Sequence, residues 1–464
     1  MFDHERLLSH GFVPGRRLAL DIASHALSAV DPRRAVLSRL SVDAGRLHID
    51  DDVYDLDRFE HLYVVGGGKA CYPQALAVEQ LLGDRITDGF ISVKKGQLVP
   101  FVERMGRLTR LRVAESAHPV PDETSFDAGR EILAIAERAS ARDLVICLMS
   151  GGTSAQVIAP VDGVSVADKA DVNRLLVTSG ADITEIMTVR RHLSRIKGGQ
   201  LAARLYPATV ITLTVSDEKT DSLMWNTDWV SSNGTQPADA IAILRRYELW
   251  RRMPESVRHH LGDADRVVAA QELVSRETVN RYMVVRTRDL FDAAVARAGE
   301  LGLTPLPLTT LLSGESREVG RALASIAREV VLSSRPVSAP CALVATGETS
   351  VRLPMGLLGE GGANQELAAG ACLDLAPDEP VAVLALDTDG SDGPTDIAGA
   401  LTDGTTPERT RAAGADLYSA LNRHDVARAL RAAGDAVITG PTGTNVNDIV
   451  IVVVLPGAEP PPVD

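Results

Sequence analysis

Short apolar runs rich in β-branched residues recur along this chain, each ending in a turn that carries glycine or aspartate and then giving way to a helical pattern. That alternation restricts the fold to the α/β class. Residues 62–65, 144–149 and 209–215 form a first series. A second series follows a charged stretch near 251–277 and comprises 282–285, 342–345, 381–386 and 449–454. Such short β-branched runs, without charged residues, read as strands covered on both faces, as parallel sheets are. At 464 residues the chain is too long for a single core to be the simplest solution. The expectation is two α/β domains with mainly parallel sheets: an N-terminal domain over 1–248, a linker over 249–277 and a C-terminal domain over 278–464. Within the last, the proline-dominated stretch 456–464 reads as a disordered tail.

Composition narrows the partners. A formal net charge of −14 gives no broad basic footprint for nucleic acid. No apolar run reaches membrane-spanning length, and residues 1–11 lack the apolar core of a secretory signal. Cys71, Cys147, Cys341 and Cys372 are far apart and form no C-x-x-C pair, which fits a reducing cytoplasm and speaks against zinc or a disulfide framework. The expected partner is a small molecule, with no nucleic acid and no membrane; a homodimer is left open.

The chemistry is carried by turns. In Val64-Val65-Gly66-Gly67-Gly68-Lys69-Ala70 a strand runs into three glycines and a helix that opens on a lysine. Free N–H groups, the helix dipole and a mobile cation make this an anion-binding turn, the alternative being a tight βα turn with a solvated lysine. It is not a Walker A loop. Ser150-Gly151-Gly152-Thr153-Ser154 repeats the pattern after another buried strand, with hydroxyls suited to phosphate. His118-Pro119-Val120-Pro121-Asp122 is an extended segment in which Asp122 reads as a helix N-cap and His118 as structural or catalytic. The stretch 188–199 is densely basic, and some of Arg190, Arg191 and Lys197 are expected to face a substrate anion while others face solvent.

Strand 209–215 ends in Ser216-Asp217-Glu218-Lys219-Thr220-Asp221, whose aspartates could bind Mg²⁺, polarise the attacking hydroxyl or cap the chain. Further on come Gly347-Glu348-Thr349, Gly361-Gly362-Ala363-Asn364-Gln365-Glu366, the Asp-rich 387–396 and the loop 439–448. The Asp-rich run lacks the closing glutamate of an EF-hand and follows a strand, which excludes that reading.

In order, GGGKA, HPVPDE, SGGTSA, VRRHLSRIKGG, GET, GGANQEL, DGSDGPTDIAGA and TGPTGTNVND make the chain resemble the class II glycerate 2-kinases, whose C-terminal half is called MOFRL. The resemblance implies a Rossmann-like N-terminal domain, a MOFRL-type C-terminal domain and an active-site cleft between them. It also implies ATP, Mg²⁺ and phosphoryl transfer to a hydroxyl of glycerate. Carried over residue by residue, it matches Lys69, Asp217 and Asp221, Asp389 and Asp392, and Asn445 and Asn447; the reading built on it and on the turns makes Lys69 and Asp217 catalytic. Gly66, Gly67, Gly68, Ser150, Gly151, Gly152, Ser154 and Asn445 would then hold the nucleotide. Arg190, Arg191, Lys197 and Asn364 would hold the substrate, and Asp221 and Asp389 the metal.

The departures are as informative. The family's GGRNQE carries a functional arginine where this chain has Ala363, and changes also fall at Glu185-Ile186-Met187, 216–221, 229–234 and Lys95-Gly96-Gln97. Loss of an anion-holding arginine raises a sugar, cyclitol or nucleoside-derived polyol as an alternative acceptor. Two rivals are a nicotinamide-dependent hydroxypyruvate reductase, for which no G-x-G-x-x-G turn is followed by a ribose-binding acid, and a catalytically silent ligand-binding homologue.

Overall fold

All seven apolar runs expected as strands pair in sheets. The computed structural model describes residues 1–217, 229–231, 234–263, 278–353 and 359–457. In one six-stranded sheet lie β4 (His61–Gly67), β5 (Asp88–Lys94), β6 (Arg112–Ser116), β7 (Asp143–Ser150), β8 (Thr209–Ser216) and β9 (Val279–Arg286), in the order β6-β5-β4-β7-β8-β9. Pairing from β6 through β8 is parallel. Every residue of β7 is buried, as a strand covered on both faces requires. Val65, Val145, Cys147 and Val210 pack on one side with Ile132, Ile135 and Trp229. Three short strands, β1 (Leu40–Asp43), β2 (Arg46–Ile49) and β3 (Asp52–Asp55), form an antiparallel sheet of their own.

The other six-stranded sheet contains β10 (Thr304–Leu312), β11 (Cys341–Gly347), β12 (Val381–Asp387), β13 (Gly399–Asp403), β14 (Ala436–Val437) and β15 (Asp448–Val454), in the order β10-β11-β15-β12-β13-β14. Here the expectation of a mainly parallel sheet fails. The β10–β11 pairing is parallel, but β15 lies antiparallel between β11 and β12, and β13 pairs antiparallel with β12. The physical reason is that an unbroken apolar run reports burial on both faces, not strand direction. Helices Val13–Ala29 and Thr287–Glu300 pack together and against this sheet, as do Ser316–Ser333 and Ala363–Leu373.

The chain separates into two units that are not cut at one point. The first consists of described residues within Pro32–Ser216 and Thr220–Val284, the second of those within Met1–Asp31, Asp217–Lys219 and Val285–Asp464. Three expectations are corrected. Residues 282–285 belong to edge strand β9 of the first sheet, not to the second series. The described part of the supposed linker is no linker: helix Glu255–Gly262 puts Val257 and Leu261 into a core with Val172, Leu176, Val189 and Leu244. The first 31 residues belong with the C-terminal unit, anchored by Arg16, which is fully buried and bonds Asp403 (2.5 Å) and Asp435 (2.8 Å). The tail beyond 457 lies outside the described residues. Among the described residues no helix is long and apolar enough to cross a membrane.

Candidate functional site

Strands β4 and β7 pair with Gly67 opposite Met149, so the two glycine-rich turns leave the sheet side by side. Gly66 and Gly67 are themselves ladder residues paired to both neighbouring strands. Gly68 has φ +112°, and a Cβ there would lie 2.2 Å from Ser150 Oγ, so only glycine fits. The N–H groups of this turn are already used. Gly68 donates to Gln156 Oε1 (3.0 Å), Lys69 to Gly151 O (3.0 Å) and Ala70 to Ser150 Oγ (2.9 Å). With these backbone groups paired, what the first turn holds out to a nucleotide phosphate is the half-buried Lys69 side chain.

The second turn is the more open to an anion. Gly152 has φ +90°, and Lys69 Cγ, Gln156 Nε2 and His118 Cδ2 all lie 3.2–3.4 Å from where its Cβ would be. Gln156 Nε2 and Ser154 Oγ are buried with no hydrogen-bond partner. Two buried donors without acceptors beside a glycine turn are costly unless a ligand completes them. The turn also has cations. Lys197 is buried and its Nζ donates to Ser154 O (3.1 Å), and Lys169 is buried with its Nζ on Leu193 O (2.9 Å). Arg190, half-buried, bonds Asn173 Oδ1 (2.9 Å), and Arg191 is also half-buried.

These charges act on one another. Burial, and then the charge of Arg190, lowers the Lys169 ammonium to about 7. Lys197 is depressed well below its ordinary value by burial, with Lys169, Arg190 and Arg191 adding to the effect. Sequence reasoning missed Lys169, although a signal existed: at spacings of three and seven from the buried Val172 and Leu176, it sits in the apolar stripe of helix Val166–Val177.

A pH dependence follows. The folded state holds Lys169 at about 7 against an unfolded value near 10.5, so between these the unfolded chain binds the extra proton and stability rises with pH. Lys169→Met should remove that slope. Between pH 7 and 9 its unfolding free energy, measured in urea, is expected to gain about 2 kcal/mol less than the wild type's.

In the second unit, Asp217 is fixed by the last loop. Asn445 Nδ2 donates to Asp217 Oδ2 (2.8 Å), and Asn447 Nδ2 to Asp217 O (2.6 Å) and Thr287 Oγ1 (3.1 Å). Asp389 is nearly buried, and its Oδ1 accepts from Ser391 N (2.7 Å) and Oγ (2.9 Å). Thr442 N donates to Asp389 O (3.1 Å), tying this loop to the one that holds Asp217. Asp221 lies outside the described residues.

Asn364 is buried beside Asp392, which caps helix Ala363–Leu373 by accepting from Asn364 N (3.2 Å) and Gln365 N (2.9 Å). Burial raises Asp392 to about 6, with the bonds from Gln365 and Asn364 opposing it. Asp448 is raised well above its ordinary value by burial, Asp387 and Asp392. A cavity of about 300 Å³ runs past Ala363, lined by the carboxylates of Glu348, Glu366, Asp387, Asp392 and Asp448.

Comparison with known proteins gives this arrangement a family. Residues 18–262 match a domain of unknown function, DUF4147, and residues 341–448 match the MOFRL family. A glycerate 2-kinase of Pyrococcus horikoshii is 37% identical, over 95% of this chain and 97% of its own. A protein of Agrobacterium vitis named putative hydroxypyruvate reductase is 38% identical, over 83% of this chain and 97% of its own. The crystal structure of a glycerate kinase from Thermotoga maritima superposes with a TM-score of 0.78 at 34% identity, covering 95% of this chain and 99% of that one. With likeness of this degree over nearly its whole length, the chain belongs to the class II glycerate 2-kinase family, with MOFRL as its C-terminal domain.

Proposed function

We propose that this protein is an ATP-dependent kinase that transfers the γ-phosphoryl group to a hydroxyl of glycerate. The observation that carries the reading is the buried cationic turn: Lys197, within electrostatic reach of Lys169, bonds Ser154 O, while Ser154 Oγ and Gln156 Nε2 lack partners. A phosphate or carboxylate would satisfy those donors and offset the repulsion among the cations. Phosphoryl transfer asks the protein mainly to position groups and neutralise charge, and Lys69 is suited to stabilise the transferring group. Asp217, oriented by Asn445, is suited to receive the proton of the attacking hydroxyl.

Mg²⁺ arrives at such sites with the nucleotide and takes one or two carboxylates besides phosphate oxygens and water. Among the described residues no three acidic, histidine or cysteine groups gather as a metal cage, whereas Asp217 and Asp389 offer oxygen ligands of the kind it takes. Bound there, it would neutralise phosphate charge. Four buried free thiols suit a reducing cytoplasm.

A second reading, with a polyol acceptor lacking a carboxylate, is favoured by the acidic cavity at Ala363, which would repel a carboxylate placed there. ADP release with ATP and Mg²⁺ across D-glycerate, sugars, cyclitols and nucleosides separates the two. Turnover of D-glycerate with kcat/KM above about 10⁴ M⁻¹s⁻¹ is the expected result. Turnover of polyols alone would replace glycerate as the acceptor, and turnover of no acceptor would sink both readings.

A further inference from the structure

The first unit contains a cationic cavity that shares no lining residue with the glycine turns. It measures about 300 Å³ and is lined by Arg195, Arg204, His192, His260, Ser194 and Gln200, and also by Asp162. Arg195 Nε is buried and has no hydrogen-bond partner. The carboxylates nearest the Arg195 guanidinium are Asp162 at 3.6 Å and Glu137 at 3.8 Å, on side chains 87% and 66% exposed. Both distances exceed a hydrogen bond, and pairs so exposed stabilise weakly.

Arg204 stands beside Arg195, its Nε on Arg195 O (3.1 Å). Burial, and then the charge of Arg195, lowers the Arg204 guanidinium. The exposed Asp162 and Glu137 offset that repulsion only in part, and an anion held between the two guanidinium groups would offset it further. His192 does not add to that repulsion at neutral pH: burial lowers it to about 4, and its Nε2 contacts Thr235 Oγ1 (3.0 Å). The cavity thus presents paired guanidinium forks with Ser194 and Gln200 for further hydrogen bonds, which is the chemistry that recognises a tetrahedral oxyanion.

We propose that this cavity is a second anion site, for phosphate or the phosphate group of a small monoester, separate from the site at Lys69 and Lys197. It stands independently of the kinase reading. Isothermal titration with inorganic phosphate, and in a parallel arm with glycerol 3-phosphate, tests it at constant ionic strength. Wild type is expected to bind at a site that survives Lys69→Ala. That site should weaken by about tenfold or more in the double variant Arg195→Gln/Arg204→Gln. Phosphate binding without the ester identifies the free ion as occupant, and tighter ester binding identifies a phosphorylated metabolite.

Should the double variant fail to fold, Gln200→Glu carries the test. A carboxylate at the first residue of helix Gln200–Leu205 is tolerated by the helix dipole, yet it repels an anion in the cavity. Absence of binding to wild type would overturn the proposal. So would a single site that disappears in Lys69→Ala and keeps its affinity in the other two variants.

Discussion

Lys69→Ala is expected to lower kcat/KM for phosphoryl transfer by about 10²–10³-fold, the cost of removing one preorganised stabilising contact from a transition state. The argument rests on where the turn's polar groups go. Because Gly68, Lys69 and Ala70 direct their N–H groups to Gln156, Gly151 and Ser150, the backbone here serves to lock two turns together. The Lys69 side chain is then what this turn contributes to an anion, and alanine leaves the backbone bonds intact. The variant should therefore keep the wild-type unfolding midpoint while losing activity. Steady-state ADP release together with a urea melt reads both, and unchanged kcat/KM in a folded variant would mean that Lys69 has no part in transfer.

The largest stability effect is expected from Arg16→Ala, at about 3–5 kcal/mol, because truncating one partner leaves buried carboxylates uncompensated. Arg16 lies between Asp403 and Asp435 with no exposed surface, and Arg409 and His10 also bear on Asp435. Burial alone would raise Asp403, but the charge of Arg16 and hydrogen bonds from Thr405, Phe12 and Arg16 hold it at about 2. A carboxylate depressed in the folded state gives stability that is present above its unfolded value near 3.8 and lost as pH falls toward 2. Arg16→Ala should thus unfold at lower urea at pH 7, with a difference from wild type that shrinks below pH 4. An unchanged midpoint would show that the N-terminal helix is held by apolar packing alone.

How far the sequence could be read depended on the range of the interactions involved. Strands β4, β7, β8, β11, β12 and β15 were legible because burial on both faces is written into each run of residues. So was the cap of helix Glu123–Ala136, where Asp122 accepts from Thr124 N (2.9 Å) as its position after a proline foretells. Strand direction was not legible, since β15 reads the same whether its neighbours run with it or against it. The position of Met1–Asp31 was equally hidden, because Arg16 finds its acids 387 and 419 residues away. At the candidate site the glycines were visible, but not that Gly66 and Gly67 serve packing. Lys169 escaped notice because a lysine among charged neighbours in Val166–Val177 looks solvated until the helix is seen to turn it inward.

The attachment of Val13–Ala29 to the C-terminal unit also bears on how the polypeptide is made. Arg16 leaves the ribosome early, and Asp403 follows 387 residues later, so at about 5–20 residues per second this helix waits roughly 20–80 s for its partner. Until helix Thr287–Glu300, which packs on it, has also been made, Leu20, Ile22, Ala23 and Leu27, all buried in the finished protein, lack that cover. The nascent chain therefore carries an unsheltered apolar helix through most of its synthesis, a natural handhold for a chaperone, and its last unit closes only after translation has passed Asp435.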